Sequence, residues 1–175
     1  MTSSELGTTV ELLRSALEST PDAVVFANLP GGAEASTVSG LEPAPADLHT
    51  EANGLRCGSV VLFKADDLDG HQYLCQEVEG GSDEWLSFGR IETDPLMPNR
   101  ATGAVWWFPD TGTEWWMSEQ FATLAPDPTR FFLDYVAGPG YSEIAPLAHD
   151  RWYGFLGSVG LAPRTPSNSS TTFNG

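Results

Sequence analysis

Apolar residues recur at helical spacing near the start of the chain. Leu6, Val10, Leu13 and Leu17 share one face, with Glu11, Arg14 and Glu18 turned away. This predicts an amphipathic helix. Thr2 and Glu5 have capping-box spacing, although Gly7 and the β-branched residues 8–10 weaken the first turn, and Pro21 ends the helix. A short β-like run follows at 23–27. Residues 30–46, rich in Gly, Ala, Ser and Pro, read as a surface loop or insertion.

Period-two and compact apolar runs then dominate. Strands are expected at 59–63, 72–78 and 85–91, with an acidic turn or single helical turn at 64–70 and a turn at 80–84. Residues 95–103, with two prolines, read as a polar connection. Residues 104–108 and 113–117 suggest an aromatic hairpin around 110–112, carrying Trp106, Trp107, Phe108, Trp115 and Trp116. Adjacent tryptophans in a strand face opposite ways, so each pair should put one ring in the core and one elsewhere. Helices are expected at 128–137 and 145–157, separated by a Gly-Pro-Gly break. The order is a helix, about five clustered strands, then helices. That predicts an α+β fold with a largely antiparallel sheet, residues 1–162 forming one domain and 163–175 a disordered tail.

Composition sharpens this picture. The 175 residues are 41% hydrophobic and include six tryptophans, which fits a packed domain and opposes general disorder. Acids outnumber bases 24 to eight, and the formal net charge is −16. Such a chain repels nucleic acid and anionic membranes and attracts basic proteins or cations. The first residues show neither a basic nor an apolar leader segment, and no apolar run reaches membrane-spanning length. A cytoplasmic protein with reduced thiols is expected.

Catalytic signatures are weak. The Gly138-Pro139-Gly140 break lacks the lysine and strand-to-helix context of a phosphate loop. Asp67-Leu68-Asp69-Gly70 resembles part of a calcium loop, but Ala65 and Gln76 stand where the first and twelfth ligands belong. His49, His71 and His149 lack metal-ligand spacing. Cys57 with His149, or Cys75 with His71, would be nucleophile pairs without a local signature, and buried cysteine is the commoner outcome. The expectation is a binding protein with no cofactor or metal, and not an enzyme.

The informative region is the middle of the chain. Asp66, Asp67, Asp69, Glu77, Glu79, Asp83 and Glu84 fall within nineteen residues, balanced only by Lys64 and His71. Set in and around turns beside rigid aromatics, these seven carboxylates are the candidate partner-binding residues. Charge would speed encounter and aromatic rings would anchor the complex.

Several short motifs add a family resemblance. Trp85-Leu86-Ser87-Phe88-Gly89 resembles the tryptophan strand of the SUKH superfamily, the domain group that includes yeast Smi/Knr-type cell-wall regulators and many bacterial toxin-immunity proteins. Residues 99–105 (Asn-Arg-Ala-Thr-Gly-Ala-Val) are similar to its polar turn before a hydrophobic strand. Residues 125–135, Ala-Pro-Asp-Pro running into Phe131-Phe132-Leu133-Asp134-Tyr135, resemble its closing helix. Asn53-Gly54 resembles its early Asn-Gly step. The likeness spans residues 48–143. Where many members carry a Gly-Asp or Gly-Asn step after the tryptophan strand, this chain has Ile91-Glu92-Thr93-Asp94-Pro95. The resemblance implies an immunity protein that occludes a cognate toxin, often a basic nuclease or deaminase. The alternative is a scaffold or regulatory protein-binding module of the same fold. No catalytic or binding residues carry over from the family.

Overall fold

A computed structural model describes residues 4–41, 43–109, 112–148 and 150–164, the side chains of 43 and 44 excepted. The fold is α+β, and among the described residues seven strands form one antiparallel sheet in chain order. The strands are β1 (Ala27–Asn28), β2 (Leu55–Cys57), β3 (Val60–Leu62), β4 (Gly89–Ile91), β5 (Asp94–Pro98), β6 (Val105–Trp107) and β7 (Ala122–Ala125). Seven strands stand where about five were expected.

Alternation along these strands assigns two faces. Leu55, Cys57, Val60, Leu62, Ile91, Leu96 and Val105 point to the main core. Helix α1 (Glu5–Glu18) covers that side with Leu6, Val10 and Leu13. Its N-cap is Ser4, whose side chain accepts from the Gly7 amide at 3.0 Å; the expected cap, Thr2, lies outside the described residues.

The expected loop at 30–46 contains α2 (Ala35–Val38) and the start of α3 (Pro43–Glu51). Helix α3 contributes Leu48, while the ring nitrogens of buried His49 lie 3.0 Å from the carbonyl oxygens of Pro45 and Phe63. These contacts tie α3 to the end of β3.

The chain then turns at Asn53-Gly54. Asn53 Oδ1 accepts the Ala65 amide at 2.8 Å, and Gly54 sits at φ +77° with the Lys64 side chain where a Cβ would lie.

The C-terminal helices complete the main core. Asp127 caps α5 (Pro128–Phe131), which runs on into a π-helical turn at Phe132–Val136. The helix expected at 145–157 is shorter and later, α7 (Arg151–Ser158), and a separate four-residue helix, α6 (Tyr141–Ile144), precedes it. Asp150 caps α7 and also accepts the Tyr141 hydroxyl, which in turn accepts the Ser59 amide at 2.8 Å. Fully buried Trp152 donates from Nε1 to the Val136 carbonyl at 2.7 Å.

Two expected strands are absent. All of 72–78 but the extended Val78 belongs to a run of 3-10 turns, Ala65–Glu77, followed by the four-residue α4 (Gly81–Glu84). The Gln72 side chain explains how a helical segment takes a strand's place. Its Nε2 donates to the Ser87 carbonyl at 2.9 Å and its Oε1 accepts the Ser87 amide at 3.0 Å. One side-chain amide thus satisfies the backbone groups a neighbouring strand would have paired.

Residues 113–117 also fail to form a strand. They hold a 3-10 turn at Trp115–Met117, and β6 pairs with β5 and β7. The expected polar connection at 95–103 is instead strand β5 and a hairpin turn, where Asn99 Oδ1 accepts the amides of Ala101 and Thr102.

Candidate functional site

The second face of the sheet positions the candidate site. Met97 and Trp106, directly paired across β5 and β6, point away from the main core. They pack with Trp85 and Cys75, and with Leu74 and Val78 from the 3-10 segment and its end. The tryptophan expectation therefore holds for the Trp106–Trp107 pair: Trp106 lies under the 3-10 segment and Trp107 packs on the main core.

A chain of aromatic contacts runs outward from this small core. Trp85 meets Trp106 at 5.3 Å and Phe121 at 4.8 Å between ring centroids. Phe121 stacks on Phe108 at 4.7 Å, Phe108 meets Trp115 at 5.5 Å, and Trp115 meets Trp116 at 5.7 Å with the rings nearly perpendicular. Exposure rises sharply at the last step, from 6% at Trp115 to 52% at Trp116. The last members open into a groove of about 380 Å³ lined by Tyr73, Leu74, Glu77, Trp115 and Trp116. Tyr73 is 63% exposed and Met117, next to Trp116 in the chain, 67%. This groove joins two elements that lie far apart in sequence.

All seven candidate acids are exposed: Asp66, Asp67, Asp69 and Glu77 on the covering segment, Glu79 in the turn after it, and Asp83 and Glu84 on α4. They do not share one cleft. Asp66 and Asp69 line a polar groove of about 410 Å³ with Gln72 and Arg100. Glu77 lines the aromatic groove. Asp67, Glu79 and Asp83 stand on the outer surface. Glu84 turns toward the β5–β6 hairpin, its Oε1 accepting from Asn99 Nδ2 at 3.4 Å. Arg100 braces the same corner, donating from Nε to the Ser82 carbonyl at 2.7 Å and to the Trp85 carbonyl at 3.2 Å.

The sequence singled out the acids and tryptophans but missed Tyr73, which it assigned to a strand. The available signal was the 3.6-like run of Leu68, Gln72 and Cys75 toward one side, which places Tyr73 on the other.

The thiols behave as packing groups. Burial pushes the Cys57 thiol far above its ordinary range and raises that of Cys75, and Cys75 Sγ lies 3.5 Å from the Trp85 carbonyl as a donor. Each environment opposes a thiolate. His71, the suggested partner of Cys75, stacks on Phe63 at 3.6 Å. His149 lies outside the described residues. Among the described residues there is no group of three His, Cys, Asp or Glu side chains able to hold a metal, and no helix is long and apolar enough to cross a membrane.

The site is thus a rigid aromatic floor that emerges at one edge of an acidic covering segment. Its chemistry suits recognition of cations attached to apolar stems. No family model matches this chain, and no curated protein matches it significantly.

Proposed function

We propose that the chain is a binding module that neutralises a basic toxin domain by covering its active cleft. One observation carries the reading. The stretch 65–84 laid over the second face of the sheet presents seven exposed carboxylates, one of which, Glu77, lines an open aromatic groove. Carboxylates on turns give long-range attraction to a cleft built for phosphates, and half-exposed aromatic rings supply the short-range anchor. The step from basic partner to toxin rests on the SUKH-like motifs around Trp85, Asn99 and Phe131.

The test is co-expression of the chain with the toxin encoded beside its gene, together with binding measured across a salt series. Protection of the cells and affinity that falls steeply with salt are expected. Replacing Asp66, Asp67 and Asp69 with lysine should weaken binding by about tenfold or more, chiefly by slowing association. Equal killing with and without the chain would sink the proposal. So would binding indifferent to both salt and charge reversal.

A further inference from the structure

We infer that the groove between Tyr73 and Trp116 is an arginine-reading pocket, in which a single arginine side chain of the partner lies against the aromatic rings with its guanidinium on Glu77. The inference rests on the basic-partner reading above and names the group that the partner inserts.

Three features point to this occupant. First, the walls are aromatic and open: Tyr73 and Trp116 keep 63% and 52% of their surface exposed. Exposed tyrosine and tryptophan faces carry negative quadrupole charge that attracts a cation held within about 6 Å. Second, the one charged residue in the lining is Glu77, and no lysine or arginine is among the described lining residues. An apolar occupant would leave that carboxylate facing a desolvated neighbour, whereas a cation pairs with it. Third, the groove is held rigid from below. Trp115 is 6% exposed and wedged between Phe108 and Trp116, so its ring needs no ordering when a ligand arrives.

Arginine fits better than lysine. Its guanidinium is planar, stacks on aromatic faces, is weakly hydrated and can present two parallel N–H donors to one carboxylate. A lysine ammonium would shed a tighter hydration shell to enter the same aromatic walls.

The experiment titrates the full chain with blocked Gly-Arg-Gly tripeptides while following the tryptophan indole and Tyr73 ring resonances. The citrulline, lysine and leucine counterparts serve as comparisons. Saturable shifts at Trp115, Trp116 and Tyr73 are expected with the arginine peptide, with affinity about fivefold or more above the citrulline peptide. Trp116→Ala should abolish the saturable shifts. Glu77→Gln should weaken binding about fivefold. Both side chains are exposed, and an unchanged circular dichroism spectrum confirms that each variant folds.

Equal binding of the arginine, citrulline or leucine peptides would overturn the inference, as would binding that survives Trp116→Ala. Lysine binding as tight as arginine would overturn the choice of side chain. Replacement of Asp66, Asp67 and Asp69 with lysine separates the two proposals, because it should leave the arginine peptide on Trp116 while weakening the whole partner. A toxin that ignores the chain, with the peptide result intact, would remove the toxin reading and leave the pocket.

Discussion

The two faces of the sheet solve the same problem with different materials. On the helical face, α1, α3, α5, α6 and α7 bury a continuous core in which Leu13, Phe131, Phe132, Tyr141 and Trp152 are fully enclosed. On the other face, a 13-residue run of 3-10 turns sends Leu68 to the main core and otherwise covers a small cluster of Cys75, Trp85 and Met97, with half-buried Trp106 and Phe121 around it. Runs of 3-10 turns this long are uncommon because their hydrogen-bond geometry is poor. This one is held by side chains, with Gln72 bonded to Ser87 and Trp85 Nε1 donating to the Glu79 carbonyl at 2.9 Å. The helical face is therefore suited to stability. The thin face spends its aromatic residues partly on packing and partly on an open groove, which is where binding surfaces are expected.

The sharpest way to break this comparison is to remove the largest buried ring from the thick side. Trp152→Ala deletes a fully enclosed indole and leaves the Val136 carbonyl without its donor. A loss of about 3–5 kcal/mol is expected, read from the midpoint of urea unfolding. Trp106→Ala, on the thin side, should cost clearly less, since that ring is only half-buried. Equal losses would mean that the second face carries as much of the stability as the first.

The sequence made the thick face far more legible than the thin one. Helix α1 and the Phe131–Val136 helix follow from apolar spacing, because a helix that buries one stripe must show it. Strand β5 was hidden by Pro95 and Pro98, which read as breakers. Yet Pro98 still joins the ladder through its carbonyl, which accepts the Leu86 amide at 3.0 Å, and gives up only the reciprocal bond. Strand β2 is only Leu55–Cys57, too short to show alternation. The segment 72–78 misled for a chemical reason: its spacing suits a strand, but the backbone pairing is done by the Gln72 side chain. The candidate site divides in the same way. Exposed acids are visible in sequence because solvation tolerates them anywhere on turns. The groove was not visible, because it exists only where the 3-10 segment and the 115–117 turn meet.

Gln72 provides the next test of the contrast. Gln72→Ala leaves the amide and carbonyl of buried Ser87 without the partners that the side chain supplies. A cost of about 2–3 kcal/mol is expected from these desolvated groups. The loss should be local. Amide hydrogen exchange should accelerate across 65–88 while the helices of the other face keep their protection, and the intrinsic fluorescence of Trp85 and Trp106 should change. Slower or uniform exchange would mean that the covering segment is not a separately held layer. Gln72→Glu keeps an acceptor for the Ser87 amide but sets a carboxylate oxygen against the Leu68 and Ser87 carbonyls, so it should not restore the lost protection at neutral pH.

The smallest expected effect returns to the thick face and depends on pH. Tyr141→Phe removes the hydroxyl that donates to Asp150 and accepts the Ser59 amide, at an expected cost of about 1–2 kcal/mol at neutral pH. Burial first, and then the hydrogen bond to Asp150, push the Tyr141 hydroxyl well above its ordinary range. A phenol whose pKa is higher in the folded chain holds its proton there after the unfolded chain has released it. Above about pH 10 the unfolded state therefore binds fewer protons, and the hydroxyl's contribution to stability declines as pH rises. Phenylalanine has no such proton. The gap between wild type and Tyr141→Phe should be full below about pH 9 and narrow steadily above about pH 10. The burial-raised thiols of Cys57 and Cys75 lower the stability of both proteins together above about pH 8.5, so they cancel in this difference. A gap independent of pH would show that the Tyr141 hydroxyl is free to ionise in the folded chain, and that the bond to Asp150 is not what joins α6 to α7.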